Sequence, residues 1–159
     1  MKTYTRLQKI IEVIGIVITI VYIIYFIVSF GNLPDKTPAH YDFAGEVTRY
    51  GSKYEMLIMP ILGVLMYGGI TILQKYPKAW NVPIKVKPEN EVEIYTILRT
   101  LIILTKVQMI GIFALISYYS SNMKSIPTYM SVLFIVVPII TIIIGLIKVY
   151  GIERKGIIK

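Results

Sequence analysis

The sequence predicts an all-α integral membrane protein: four transmembrane helices, both termini on the cytoplasmic side, and an ordered extracellular loop between helices one and two. Three observations carry that prediction. Apolar residues make up 55% of the 159 positions and charged ones 16%, against about 25% charged in soluble chains. The apolar residues gather in four runs, each near the roughly 20 helical residues that cross a bilayer core. Basic residues flank those runs instead of forming one stripe, as positive charge does against anionic headgroups.

The first span is 10–30, with one charge, Glu12, near its start. It exceeds a signal-peptide apolar region and no small-residue cleavage pattern follows, so it is expected to stay attached. The second span, 54–74, holds Pro60, expected to kink it, and Gly63, Gly68 and Gly69, where a neighbouring helix can approach. A loop at 75–93 contains Pro77, Pro83 and Pro88 and is expected to be extended; its end places Glu89, Glu91 and Glu93 at the start of a helix, where acids complement the dipole. The third span, 94–119, carries Lys106 and Gln108, and the fourth, 129–150, has Pro138 near its middle. Period-two alternation is absent and the runs are twice as long as barrel strands, so the spans are helices. The whole chain, 1–159, reads as one membrane domain.

Loop charges set the orientation. Lys2, Arg6 and Lys9, then Lys75, Lys78, Lys85, Lys87 and Arg99, then Lys148, Arg154, Lys155 and Lys159 put twelve basic residues on one side. Lys36, Arg49, Lys53 and Lys124 put four on the other, so the loop at 31–53 faces outward. The net charge of +8 therefore points to lipid as a partner and away from nucleic acid. There are no cysteines, which excludes disulfides, thiolate metal sites and a cysteine nucleophile.

The loop Gly31–Lys53 concentrates rigid and ionisable residues. Pro34 and Pro38 restrict the backbone, Gly45 and Gly51 permit turns, and His40, Asp42, Glu46, Arg49 and Lys53 alternate with Tyr41, Phe43 and Tyr50. The run from Leu33 to Asp42, then Gly45, then Tyr50-Gly51-Ser52-Lys53, resembles the signature of the DUF1648 family, L-P-D-x-I-P-x-H-[FY]-[ND] followed by glycine and an aromatic-G-S-K. Thr37 stands where isoleucine or valine is usual, and Thr48 where aspartate is common. The family includes the N-terminal part of SdpI-type bacterial membrane proteins, which confer immunity to a secreted peptide toxin and take part in signalling. The resemblance implies a multi-pass protein of the bacterial cytoplasmic membrane. Functions housed in spans beyond the fourth do not carry over.

Pro34, Asp35, Pro38, His40, Asp42, Gly45, Gly51 and Lys53 are the candidate ligand-binding or loop-organising residues. His40, beside Asp42, could hold a divalent metal, or could hydrogen-bond the loop and fix the cap; no other cofactor and no catalytic residue is expected. Asp35 is expected to cap a turn. Lys53 either snorkels to headgroups or pairs with Asp35 or Asp42. Within the spans, Glu12, Lys106 and Gln108 are the polar candidates. Lys106 lies seven residues past Arg99, roughly 10 Å along the helix, and either snorkels to the surface or pairs with Glu12. Gln108 is expected to bond a neighbouring helix.

Three functions compete. The first is an immunity, antimicrobial-peptide-resistance or envelope-signalling protein whose outward loop recognises a peptide toxin or envelope ligand. The second is a small transporter, or an accessory subunit working with another membrane protein or as a homo-oligomer. The third is an envelope enzyme using His40.

Overall fold

The computed structural model describes residues 4–157, with side chains placed through Arg154; Lys2, Lys159 and the side chain of Lys155 lie outside that description. In chain order the elements are α1 (Arg6–Phe30), β1 (Lys36–Tyr41), β2 (Val47–Ser52), a 3-10 turn (Lys53–Leu57) leading into α2 (Ile58–Leu73), a short 3-10 turn (Pro77–Ala79), α3 (Glu91–Ser121) and α4 (Thr128–Ile157). Four helical stretches, with Lys53–Leu73 counted as one, are long and apolar enough to cross a membrane. Isoleucines and valines on the surfaces of α1 and α4, such as Ile27, Val28, Ile139 and Ile143, stay about half to two-thirds exposed, as lipid-facing residues do.

The chain is mostly helical rather than all-α. The loop between α1 and α2 folds as an antiparallel β-hairpin, with Lys36 opposite Ser52, Thr37 opposite Gly51 and Tyr41 opposite Val47. Pro38 has no N–H to give the ladder, and the register is irregular just beyond it.

Helix ends also differ from the apolar runs, because capping sets them. Thr5 and Gln8 form a capping box, the Gln8 N–H donating to Thr5 Oγ1 and the Thr5 N–H to Gln8 Oε1, so α1 begins at Arg6 and not at Ile10. Ser52 and Glu55 do the same for the turn entering α2. Pro60 occupies the third position of α2, just past its junction with the 3-10 turn. Glu91 and Glu93 sit in the first turn of α3.

α3 is the central helix. It runs alongside α1 in the same direction, and α2 and α4 return beside it in the opposite sense. With no hydrophobic drive between helices in lipid, association rests on close packing and hydrogen bonds. The closest approach is at Gly15 of α1, where a Cβ would meet Tyr67 Oη and Val107 Cγ2 at 2.6 Å each. Gly63 also faces a neighbour, with Ile110 Cδ1 at 3.0 Å from a Cβ built there, whereas Gly68 and Gly69 face open space and are not packing sites.

Lys106 does not snorkel. Its side chain is fully buried, with Nζ donating to Glu12 Oε2 (2.8 Å) and Oε1 (3.1 Å) of α1 and to Thr71 Oγ1 (3.0 Å) on α2. It also donates to Gln74 Oε1 (3.2 Å), just past the end of α2. The Tyr67 ring lies 4.6 Å away, a cation–π contact. Gln74 Nε2 donates in turn to Glu12 and to Tyr4 Oη. Gln108 donates to Thr141 Oγ1 (2.7 Å) and so ties α3 to α4.

The loop after α2 is less extended than its prolines imply. Ile84 is buried with Ile94, Leu98 and Val149, and Trp80 and Val82 pack on that group, so the segment forms a strap across one end of α3 and α4. At the other end the hairpin turn is seated on the α3–α4 connection. Ile126 N–H donates to Gly45 O (2.8 Å), Thr128 Oγ1 to Ala44 O (2.9 Å) and Ser125 Oγ to Glu46 Oε2 (2.7 Å). Gly45 has φ +88°, and any Cβ there would collide with the Ile126 carbonyl.

Three outcomes are expected from unfolding measurements in detergent. Glu12→Gln or Lys106→Met alone should each cost about 3–5 kcal/mol, and the double variant should recover a large part of it, because breaking a buried pair strands one charge. Gly45→Ala should cost at least about 1–2 kcal/mol from its left-handed backbone alone. Thr37→Val should stabilise by about 1 kcal/mol, since Thr37 is fully buried and its hydroxyl has no hydrogen-bond partner.

Candidate functional site

Because α2 and α4 both lean on α3, a cleft remains between them, and the hairpin closes one end of it. The resulting pocket has a volume of ≈ 460 Å³. Its floor is Ile116, Ser117 and Ser120 of α3, its walls are Met56, Ile58 and Met59 on one side and Ser131, Phe134 and Ile135 on the other, and its roof is Pro38–Phe43 with Arg49. Ile58 and Ile135, on opposite walls, are about half exposed, so the pocket edge continues into the lipid-facing surface. Pro138 supplies no N–H to the carbonyl four residues earlier, leaving Phe134 O without a helical donor beside the pocket.

Hydroxyls fix the floor. Tyr22 Oη and Ser117 Oγ are 2.7 Å apart, and Tyr25 Oη and Ser121 Oγ 2.6 Å, pinning α1 to α3. Tyr41 Oη lies 3.1 Å from Ser120 Oγ and donates to Lys124 O at 3.2 Å, which leaves the serine to donate to the phenol. Burial pushes the Tyr41 phenol above its usual value, opposed by the Ser120 bond and helped by Tyr50, so it stays protonated at neutral pH.

The roof is polar. Arg49 makes a two-pronged pair with Glu55, Nη2–Oε2 2.8 Å and Nη1–Oε1 3.4 Å, and the Glu55 bond raises the guanidinium above its ordinary value. Glu55 carries no signal in the sequence, because it lies past Lys53 at the start of an apolar run. His40 Nδ1 contacts Thr48 Oγ1 across the strands at 2.6 Å. Thr48 thus occupies the position next to the imidazole where the family pattern commonly has aspartate. Among the described residues no three His, Asp or Glu side chains gather, and Asp42 Oδ1 accepts the Glu46 N–H (2.9 Å).

That bond makes Asp42 the turn-capping aspartate. Asp35 does not cap: its side chain is 98% exposed and meets only Lys53 Nζ, at 3.5 Å, while its backbone carbonyl accepts the Lys53 N–H. Lys53 therefore pairs with Asp35 and not Asp42. Pro38, His40 and Asp42 meet at the pocket roof, Gly45 seats the turn, Gly51 lies under the Glu55 carboxylate, and Pro34, Asp35 and Lys53 stay at the hairpin base. Glu12, Lys106 and Gln108 belong to the helix contacts described above. Ser117, Ser120, Ser131 and Phe134 had no signal in sequence, because small polar and aromatic residues inside a span fit ordinary packing equally well.

A relative from Archaeoglobus fulgidus, described as an uncharacterized protein, is 29% identical over 68 residues. The match covers 38% of this chain and spans 37% of the relative's length. No solved structure matches the chain. Residues 17–64 match the family model described as a domain of unknown function, DUF1648. That match runs from the middle of α1, through the hairpin that roofs the pocket, to the first turns of α2, so this part of the chain is similar to the DUF1648 family.

Proposed function

We propose that this is a bacterial cytoplasmic-membrane immunity or envelope-signalling protein, with both termini inside and the hairpin outside, whose roofed pocket binds an amphiphilic peptide or envelope ligand. The observation that carries the reading is the pocket's composition: apolar walls from α2 and α4 continuous with the lipid-facing surface, under a roof bearing His40, Asp42 and the Arg49–Glu55 pair. Such a shape accepts a ligand whose apolar part arrives through the bilayer and whose polar part stays at the interface. The excess of basic residues at the opposite end supports the orientation. No specific observation favours a solute path. Glu12 and Lys106 are engaged with each other and with Thr71 and Gln74, and Gln108 with Thr141.

Expression in a peptide-sensitive strain, followed by challenge with several membrane-active peptides, tests this. Wild-type protein should raise survival, and Met59→Trp, which fills the pocket, should cut protection about tenfold, the equivalent of ~1.4 kcal/mol of binding, at unchanged membrane abundance and thermal midpoint. Equal killing with and without the protein across all the peptides would sink the reading.

A further inference from the structure

We propose that the end of the molecule opposite the hairpin carries a binding site for one phospholipid with an anionic head, its acyl chain in an apolar pocket beneath the Trp80 strap and its phosphate among Lys75, Lys78 and Lys85. This rests on the bilayer setting and not on the ligand of the outer pocket. The inner pocket measures ≈ 500 Å³ and is lined by Leu73, Trp80, Pro83, Leu98, Ile102 and Leu146, among others, almost without polar surface. Trp80 is held in place, its Nε1 donating to Leu73 O (2.9 Å), a carbonyl at the end of α2 that also accepts the Tyr76 N–H, and its ring meeting Tyr95 edge-on at 5.8 Å. A tryptophan with an apolar face on a cavity and its N–H on a helix end suits the headgroup level of a bilayer.

Charge decides the occupant. Lys75 and Lys78 lie between the lining residues Leu73 and Trp80, and Lys85 lies two positions after Pro83. All three are exposed and none forms an ion pair among the described residues, whereas Lys53 meets Asp35, Lys87 meets Glu89 and Lys106 meets Glu12. The acids at the start of α3, Glu93 and Glu91, lie about 7 and 10 Å along the helix from Leu98. A free anion would leave the apolar pocket without purpose, and a second copy would bring like charges together. An anionic phospholipid satisfies both halves.

Trp80 is the chain's single tryptophan, so its fluorescence reads the site directly. The full-length protein is reconstituted in phosphatidylcholine vesicles and titrated with chain-brominated phosphatidylglycerol or chain-brominated phosphatidylcholine. Phosphatidylglycerol should quench Trp80 at several-fold lower mole fraction. The preference should vanish in the Lys75→Gln/Lys78→Gln/Lys85→Gln variant. In case that variant does not fold, raising salt on the wild type to about 0.5 M should shrink the preference as well. Millimolar inorganic phosphate should leave the quenching unchanged. Equal quenching by the two lipids, no quenching by either because a second copy fills the pocket, displacement by phosphate, or a preference that survives in the folded triple variant would each overturn the assignment. Loss of peptide protection in Met59→Trp bears only on the outer pocket, and lipid-selective quenching only on this one.

Discussion

Lys106 sets the condition under which the helices are arranged. A fully buried ammonium in a bilayer has no water to turn to, so each of its protons needs an oxygen from the protein. Those oxygens come from Glu12 on α1, Thr71 on α2 and Gln74 at its end, so three helices must converge at one point. Gln74 completes the arrangement because its two ends differ: the carbonyl faces the lysine and the amide faces Glu12 and Tyr4. The flipped orientation would aim NH₂ at the ammonium and the carbonyl at a carboxylate. Fixing one side chain therefore fixes the register of α1, α2 and α3 together, and the Tyr22–Ser117 and Tyr25–Ser121 contacts repeat that register toward the hairpin.

The opposite face of α3 follows from the same asymmetry. Polar contacts draw α1 and α2 to one side, while α4 is tied to α3 through Gln108–Thr141 and through Gly145, whose missing Cβ lets Leu101 approach. A strip of α3 is left between α2 and α4. Leu98 and Ile116 on that strip are eighteen residues apart, five turns at 3.6 residues per turn, so they face the same way. The two pockets lie at the two ends of this strip, one closed by the Trp80 strap and the other by the hairpin.

The four helices were legible because a bilayer demands long apolar runs, and nothing else in a sequence looks like them. Their ends were not, because α1 begins at a Thr5–Gln8 capping box and the 3-10 turn leading into α2 at a Ser52–Glu55 one, and neither alters hydropathy. The hairpin escaped because Pro38 sits inside β1 and argues against a strand, although Asp42 and Gly45 around a short turn were the available signal. Lys106 and Glu12 could be paired on paper as opposite charges near one depth. Their neighbours Thr71 and Gln74 could not, since polar residues at the end of an apolar run read as interfacial. The outer pocket depends on how three helices diverge, and no periodicity within one helix encodes that divergence.

The roof is hydrogen-bonded to the start of the α4 wall. Gly45 and Glu46 bond Ile126 and Ser125 of the α3–α4 connection, and Ala44 bonds Thr128, the first residue of α4. The base of the hairpin is tied instead to the start of α2, where the Lys53 N–H meets Asp35 O and Arg49 meets Glu55. The hairpin thus bridges the two walls of the pocket, its turn on α4 and its base on α2. A ligand wedged between those walls has to pull against both attachments. The strain falls on the strand residues between them, Pro38 to Asp42 and Val47 to Arg49, which include His40 and Thr48.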